Sequence, residues 1–425
     1  MVDKNLFLYD LAVVAIMKGE EPYVKEWIDY HLLAGVDHFY IYDNDSTPEF
    51  KKILQPYIDA NIVTYTPIPG KAQQMAAYND AVKRFRFESR YIAFLDADEF
   101  IFPKSKPTVT EILDETLSKL PRAAGLSIKW MFYGSSGHEK ADYTQGVLDR
   151  FTKRDANLNA SIKSILNPRS IDFFWTPHFP SFFDETVFAL SDEIAAQLKL
   201  DNISEKIVLN HYHTKSREEY ENKNKRGDGS FNKDGKYGDG LFKVHDRNDV
   251  EDDGIVKYRD ARRAALIPQG GGVESLFARK QINPQRLFNA LVSNLITTTV
   301  GSTPRNFYEG KVENFLTCLY LSGYLRGKLF DDDGAKIFEE LSLNALHKSL
   351  YGHVSMNDIL LLLDEMPTIF DFKNPVVKKI CSIELELMNN LIKNLMSVIK
   401  EDKDLRFWRL ICKLQKSAEM LKIVI

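Results

Sequence analysis

Over the first hundred residues, short apolar blocks alternate with stretches whose apolar positions recur every three or four residues. Residues 11–16 predict a buried strand. Pro22, preceded by Glu20 and Glu21, suits the first turn of a helix. Val24, Trp27, Ile28, His31 and Leu32 continue at helical spacing until Gly35 stops the run. Residues 38–42 predict a second strand, 48–57 a short helix and 62–65 a third strand. A helix over 71–85 follows, with Met75, Tyr78, Val82 and Phe85 on one side, and then a fourth strand over 91–95. Such alternation implies right-handed crossovers and a parallel sheet, which binds ligands at the carboxyl edge of its strands.

Beyond residue 108 the pattern changes. A helix over 108–120 is followed by apolar and aromatic strands over 125–133, 147–152, 161–167 and 207–213, an α+β extension of the first sheet. Residues 225–255 are rich in Gly, Asp, Lys and Asn and predict a long loop or lid. Its Gly227-Asp228-Gly229 and Gly238-Asp239-Gly240 segments read either as phosphate-wrapping amides or as plain turns. After Gly270-Gly271-Gly272, amphipathic helices dominate, opened by signals such as Thr303-Pro304 and Ser355-Met356-Asn357-Asp358. The expected organisation is an α/β domain over 1–265 and an all-helical domain over 273–425.

Composition narrows the function classes. The chain has 425 residues, net charge −4 and 44% hydrophobic residues, as in a soluble globular protein, and lacks the basic footprint of nucleic-acid binding. Cys318, Cys381 and Cys412 fit neither a zinc pattern nor a disulfide framework, which points to a reducing compartment. No apolar run spans a bilayer, and residues 6–17 lack the basic start and cleavage site of a signal peptide. The expectation is a cytoplasmic protein, with room for peripheral contact at the inner face of a membrane and for homo-oligomers through the C-terminal helices.

The fourth strand runs directly into Asp96, Asp98 and Glu99. They read either as ordinary solvated acids or as hard oxygen ligands for Mn²⁺ or Mg²⁺ at the sheet edge. In an extended chain Asp96 and Asp98 share a face, so both reach one cation, or one takes the metal and the other a ribose hydroxyl. Lys18-Gly19-Glu20 and Asp43-Asn44-Asp45-Ser46 end other strands on the same rim. Farther on, His211 and His213 are two apart on an expected strand, where neutral imidazole completes a Mn²⁺ site. Lys215, Lys223 and Arg226 follow, ready for phosphate charge; the alternative is a surface strand with a basic helix after it. Glu139, after a Gly-Ser-Ser-Gly-His turn, is the first candidate for a catalytic base, and Asp184 the second. Trp130, Phe132 and Tyr133 suit either a sugar-stacking wall or core packing.

Several segments in order resemble one group of enzymes. They are Lys18–Glu20, Glu26-Trp27-Ile28-Asp29-Tyr30-His31, Gly35-Val36, Tyr42-Asp43-Asn44-Asp45-Ser46, Gln74 with Ala77-Tyr78-Asn79, and residues 95–100. Tyr133-Gly134-Ser135-Ser136-Gly137-His138, Arg150-Phe151, Lys163-Ser164 with Asn167-Pro168, His178-Phe179, Asn210-His211-Tyr212 and Thr214-Lys215-Ser216 continue the series. Together, over roughly residues 8–228, they resemble the family-2-like and family-92-like GT-A glycosyltransferases of bacterial surface-glycan type; Gly19 departs from the usual Asn. The resemblance implies a GT-A fold with a Rossmann-like, mostly parallel sheet. It also implies inverting transfer of a hexose from a nucleotide-sugar donor, most often a UDP-sugar, to a saccharide or lipid-linked acceptor, as in polysaccharide or lipopolysaccharide synthesis. It implies Mn²⁺ or Mg²⁺ on Asp96, Asp98 and His211. It places Lys18, Glu20, Asp43, Gln74, Asn79, Asp96, Lys215 and Arg226 around the donor. Two other readings stay open: a haloacid-dehalogenase-like phosphohydrolase with Asp96 as nucleophile, and a non-catalytic assembly protein working through its C-terminal helices.

Overall fold

The computed structural model describes residues 7, 9–86, 88–120, 122–182, 186–226, 239–269 and 271–279. The chain divides into two units, Met1–Ile282 and Asn283–Ile425, and every described residue lies in the first. The three cysteines, and the helical region expected beyond residue 279, lie outside the described residues.

Strands and helices alternate through the first part: β1 (Tyr9–Met17), α1 (Val24–Leu33), β2 (His38–Asp43), α2 (Pro48–Asp59), β3 (Val63–Pro67), α3 (Gln74–Phe85) and β4 (Ser89–Phe94). β3, β2, β1 and β4 lie side by side in that order, all parallel. β1 feeds both faces of the sheet. Leu11, Val13, Ala15 and Met17 enter a core with Trp27, Ile28 and Leu113, while Ala12 and Val14 join Tyr78, Val82 and Phe94 on the other side. Burial on two faces is why these strands read as unbroken apolar runs. Pro48 opens α2, as expected, but α1 begins at Val24, with Pro22 in the turn before it.

The chain continues through β5 (Glu99–Pro103), α4 (Val109–Leu117), β6 (Ala123–Phe132), α5 (Val147–Arg150), β7 (Lys153–Arg154), β8 (Ile162–Leu166), β9 (Ile171–Phe174) and β10 (Pro180–Phe182). β11 (Phe188–Leu190), α6 (Asp192–Gln197), α7 (Ile203–Lys206), β12 (Ile207–His211), α8 (Arg217–Arg226), α9 (Asp239–His245), β13 (Val250–Glu251) and α10 (Gly254–Ala264) follow. β8 inserts antiparallel between β4 and β6, β12 and β11 run parallel to β6, and β5 closes the order antiparallel to β12. The sheet is therefore mixed but mostly parallel, as expected. β1, β2, β4, β6 and β12 deliver their carboxyl ends to one rim, where β5 starts.

Residues 147–152 do not form the expected strand. The Glu26 carboxylate of α1 accepts from Val147 and Leu148 N–H (2.6 and 3.2 Å), a cap that turns the segment into the short helix α5. β12 stops at His211, so His213 lies past the strand. Within 225–255, α9 and β13 replace part of the expected loop, and residues 227–238 lie outside the described residues. A 3-10 segment, Val273–Arg279, still packs on this unit, with Phe277 against Tyr57 at 5.4 Å between ring centres. Among the described residues no helix is long and apolar enough to cross a membrane.

Candidate active site

β4 ends at Phe94, so Asp96 and Asp98 sit in a turn and not on an extended strand. The turn is closed by Glu99 N–H donating to Asp96 O (3.2 Å) and Asp96 N–H to Glu99 Oε2 (2.8 Å). This sends the two aspartates to different partners. Asp98 leads into β5, whose Glu99 is in register with His211 of β12, and Tyr212 N–H donates to Asp98 O (2.9 Å). That pairing brings His211 Nε2 to 3.3 Å from Asp98 Oδ1. The chain then returns through α8, and Lys223 Nζ donates to Asp98 Oδ2 (2.5 Å) and His213 Nδ1 (3.1 Å). Among the described residues, Asp98, His211 and His213 form a group whose ligand atoms all lie within 4.8 Å of one another.

Electrostatics follow from this enclosure. Burial alone would raise the Asp98 carboxyl, but Lys223 and then His211 hold it well below the usual carboxylate range. Burial, reinforced by Lys223, pushes His213 well below the ordinary imidazole value, and burial also lowers His245. Both imidazoles are therefore neutral near pH 7. His211 packs against Trp130 (4.4 Å) and Phe132 (5.2 Å), and its buried Nδ1 has no hydrogen-bond partner.

Asp96 faces a second ammonium. Its Oδ1 accepts from Lys163 Nζ (2.9 Å), Gln74 Nε2 (2.6 Å) and, at 3.5 Å, the Tyr78 hydroxyl. Lys163 is wholly buried on β8; desolvation would lower it, but Asp96 and Glu99 hold it above the usual lysine range. Glu99 is also wholly buried, its Oε1 without a hydrogen-bond partner, and burial pushes its carboxyl well above the usual range. The structure thus joins Asp98 to His211 and His213, and leaves Asp96 with Lys163 and Gln74.

The remaining expected residues are spread along the same rim and beyond it. Asp43, at the end of β2, accepts from Tyr65 OH (2.6 Å) and Ser46 N–H (2.9 Å). Lys18 is exposed and Glu20 buried in the loop after β1, and Lys215 Nζ lies 3.8 Å from Glu20 and 4.0 Å from the Tyr23 ring centre. Asn79 directs its amide to the backbone of Phe174 (2.7 and 3.2 Å), bracing β9. Glu139 is exposed in the loop after β6, and its carbonyl receives Glu218 N–H (3.0 Å) at the start of α8. Arg226 is the last residue of α8, and Asp184 lies outside the described residues. Tyr133 is buried and stacked on Tyr212 at 4.7 Å, a packing role.

Sequence reasoning gave Lys163 no role and assigned Lys223 to phosphate, not to Asp98. No local spacing signals either contact: Lys163 and Asp96 are 67 positions apart, Lys223 and Asp98 125. It also missed the Arg150–Glu219 ion pair, whose side chains are 1% and 2% exposed, which anchors α8 beneath Lys223.

Comparisons with known proteins cover the stretch that holds these residues. A family model, glycosyltransferase family 92, matches residues 14–235, 222 of the 425 residues, and that stretch contains Asp98, His211, His213 and Lys223. A family 92 protein of Ricinus communis is 24% identical over 165 residues, covering 39% of this chain and 30% of that protein. A galactan beta-1,4-galactosyltransferase of Arabidopsis thaliana is 31% identical over 102 residues, covering 22% of this chain and 21% of that protein. The matched stretch amounts to 28–35% of the length of the first three relatives but for its longest instance no more than 48% of this chain. Among solved structures, S. aureus TarS 1-349 overlays 78% of this chain and 90% of its own at 14% identity and TM-score 0.28, and the fold rests on the topology above rather than on that overlay. On the extent of the family match, the chain belongs to glycosyltransferase family 92.

Proposed function

We propose that this chain transfers a hexose from a nucleoside-diphosphate sugar, a UDP-sugar first, to a saccharide or lipid-linked acceptor, with inversion at the anomeric carbon. The observation that carries the reading is the meeting of Asp98 with His211 at the carboxyl rim, inside the stretch that matches the family. Galactose is the first hexose to try, given the galactosyltransferases among the relatives.

The donor set fits a divalent cation. One carboxylate and two imidazoles, held neutral at His213 by burial, suit Mn²⁺ better than Mg²⁺, which prefers oxygen alone. When bound, the cation would supply Lewis-acid charge toward a leaving diphosphate. The chain's own groups do the rest. Asp98, His211 and His213 would hold the metal, and Lys215 and Arg226 would take the remaining phosphate charge. Asp96, with Oδ1 already engaged, is better suited to a ribose hydroxyl than to the metal, and Asp43 to the nucleoside. Glu139 would receive the proton of the acceptor hydroxyl.

The test is a nucleotide-sugar panel scored by melting temperature and by transfer, with and without Mn²⁺. The true donor should raise the transition only with the metal present. Asp98→Ala should lose both that shift and transfer while its far-ultraviolet circular dichroism stays unchanged. Undiminished transfer in the mutant would refute the assignment, and phosphate release from aryl phosphates without any sugar nucleotide would favour the phosphohydrolase reading.

A further inference from the structure

We propose that Lys223 is a built-in competitor of the metal, released to the donor's diphosphate when the cation enters. This inference rests on the metal reading above and adds a coupling between the two ligands. An ammonium has three N–H donors and no acceptor. Lys223 directs its donors to Asp98 Oδ2 (2.5 Å), His213 Nδ1 (3.1 Å) and His213 O (3.5 Å). Since the lysine can only donate, Nδ1 of His213 is accepting, and its lone pair points at the ammonium. One carboxylate oxygen and one imidazole lone pair of the cluster are therefore already taken by a cation. Two cations cannot share them. In a pocket where Asp98 and His211 are nearly excluded from water, their mutual repulsion is poorly screened.

The surroundings suit an exchange of this kind. One helical turn before Lys223, Glu219 is fixed by Arg150 (2.9 and 2.9 Å), Tyr23 OH (2.7 Å) and Ser216 N–H (3.0 Å). The backbone of α8 is thereby held, so the four-carbon stem of Lys223 is the part free to move. Its side chain is 29% exposed, against 9% for Asp98, which gives the ammonium a way out toward solvent. Once displaced it remains beside the cluster, where an anionic diphosphate would receive it. Metal and diphosphate should then bind cooperatively: the metal frees the lysine, and the diphosphate accepts it.

The experiment is Mn²⁺ titration of the full chain, read by the electron paramagnetic resonance of free Mn²⁺, with and without UDP, for wild type, Lys223→Met and Lys223→Arg. Removing a charge-assisted hydrogen bond that opposes the metal should tighten Mn²⁺ binding by about ten- to a hundredfold in Lys223→Met, while Lys223→Arg stays near wild type. UDP should tighten Mn²⁺ binding in wild type and do so much less in Lys223→Met. Equal or weaker Mn²⁺ binding by Lys223→Met, with both variants melting near wild type, overturns the proposal. So does a UDP effect of the same size in both. If Lys223→Met fails to fold, Lys223→Gln takes its place under the same criteria. Asp98→Asn separates the two readings. Mn²⁺ binding that survives this change refutes the metal cluster itself, whereas its loss, with no tightening in Lys223→Met, refutes only the competition.

Discussion

Glu219→Gln tests how firmly α8 is held beneath the cluster. The Glu219 carboxylate takes the two terminal guanidinium nitrogens of Arg150, the Tyr23 hydroxyl and the Ser216 N–H, and the two charged side chains are 2% and 1% exposed. Burial alone would raise this carboxyl, but Arg150, Ser216 and Tyr23 outweigh it and hold it at about 2, against an ordinary 4.5. At about 1.4 kcal/mol per pH unit, that gap corresponds to roughly 3 kcal/mol in favour of the folded, ionised state. The folded value is depressed, so this stabilisation is complete above about pH 4.5 and is lost as the pH falls toward 2. Gln removes the charge at every pH and leaves Arg150 buried against a neutral amide. Breaking one partner of a buried ion pair costs roughly 3–5 kcal/mol, in agreement with the first figure. The assay is hydrogen exchange of the amides of residues 216–226 at neutral pH. An opening free energy lower by about 3 kcal/mol means exchange faster by about a hundredfold. The double change Arg150→Met with Glu219→Leu should recover much of the loss, because an apolar pair of similar volume leaves no charge stranded. Exchange in Glu219→Gln within about threefold of wild type would show that the pair does not hold the helix, and the reasoning would fail.

Two further outcomes are expected. Gly125→Ala should destabilise the sheet by about 2–3 kcal/mol or more, because a Cβ there would meet Ile165 O at 1.9 Å across the β6–β8 pair; Gly240→Ala, with open space around it in α9, is the control, and thermal melts of the two variants check the contrast. His31, pushed down to about 3 by burial, should show no imidazole titration by nuclear magnetic resonance between about pH 5 and 8. Its Nδ1 donates to Trp27 O (2.8 Å) and its Nε2 accepts from Ile101 N–H (3.2 Å). The unfolded ring takes its proton below about pH 6.5 and the folded ring does not until about 3, so acidification through that window favours unfolding.

How much of this was legible in the sequence depended on where the deciding contact lay. β1 to β4 and their helices were readable because each carries its own signal: doubly buried strands give unbroken apolar runs, and Pro48 or Gly35 punctuates the helices. β5 was hidden because its five residues follow the Asp96–Asp98 turn with no polar break between them. Residues 147–150 were misread because the choice between strand and helix is made by Glu26, more than a hundred positions away. The candidate site divides in the same way. Asp98 and His211 were recognisable as chemistry, since Asp98 directly precedes β5 and His211 ends β12 on one rim. An extended β4 would have put Asp96 on the same face as Asp98, but the strand stops at Phe94.

That early stop has a consequence for charge. Asp96 is paired with Lys163, and Asp98 with Lys223. Glu99, beside Lys163, is held above the usual carboxylate range by burial. Within these two pairs, each carboxylate is matched by an ammonium before any ligand arrives. A divalent cation entering alone would leave the rim positive in a poorly solvated place, and a diphosphate alone would face carboxylates without a bridging charge. Entering together, they nearly cancel, and the lysine displaced from Asp98 has an anion to go to. The two lysines are not equivalent in this scheme. Lys163 is wholly buried between Asp96 and Glu99, with no route to solvent, and fixes the shape of the rim. Lys223 is partly exposed on a long stem and is the one able to exchange partners. On the proposed reading, a site arranged in this way would favour the metal–diphosphate pair over either component, which is the selectivity that transfer from a nucleotide sugar would require.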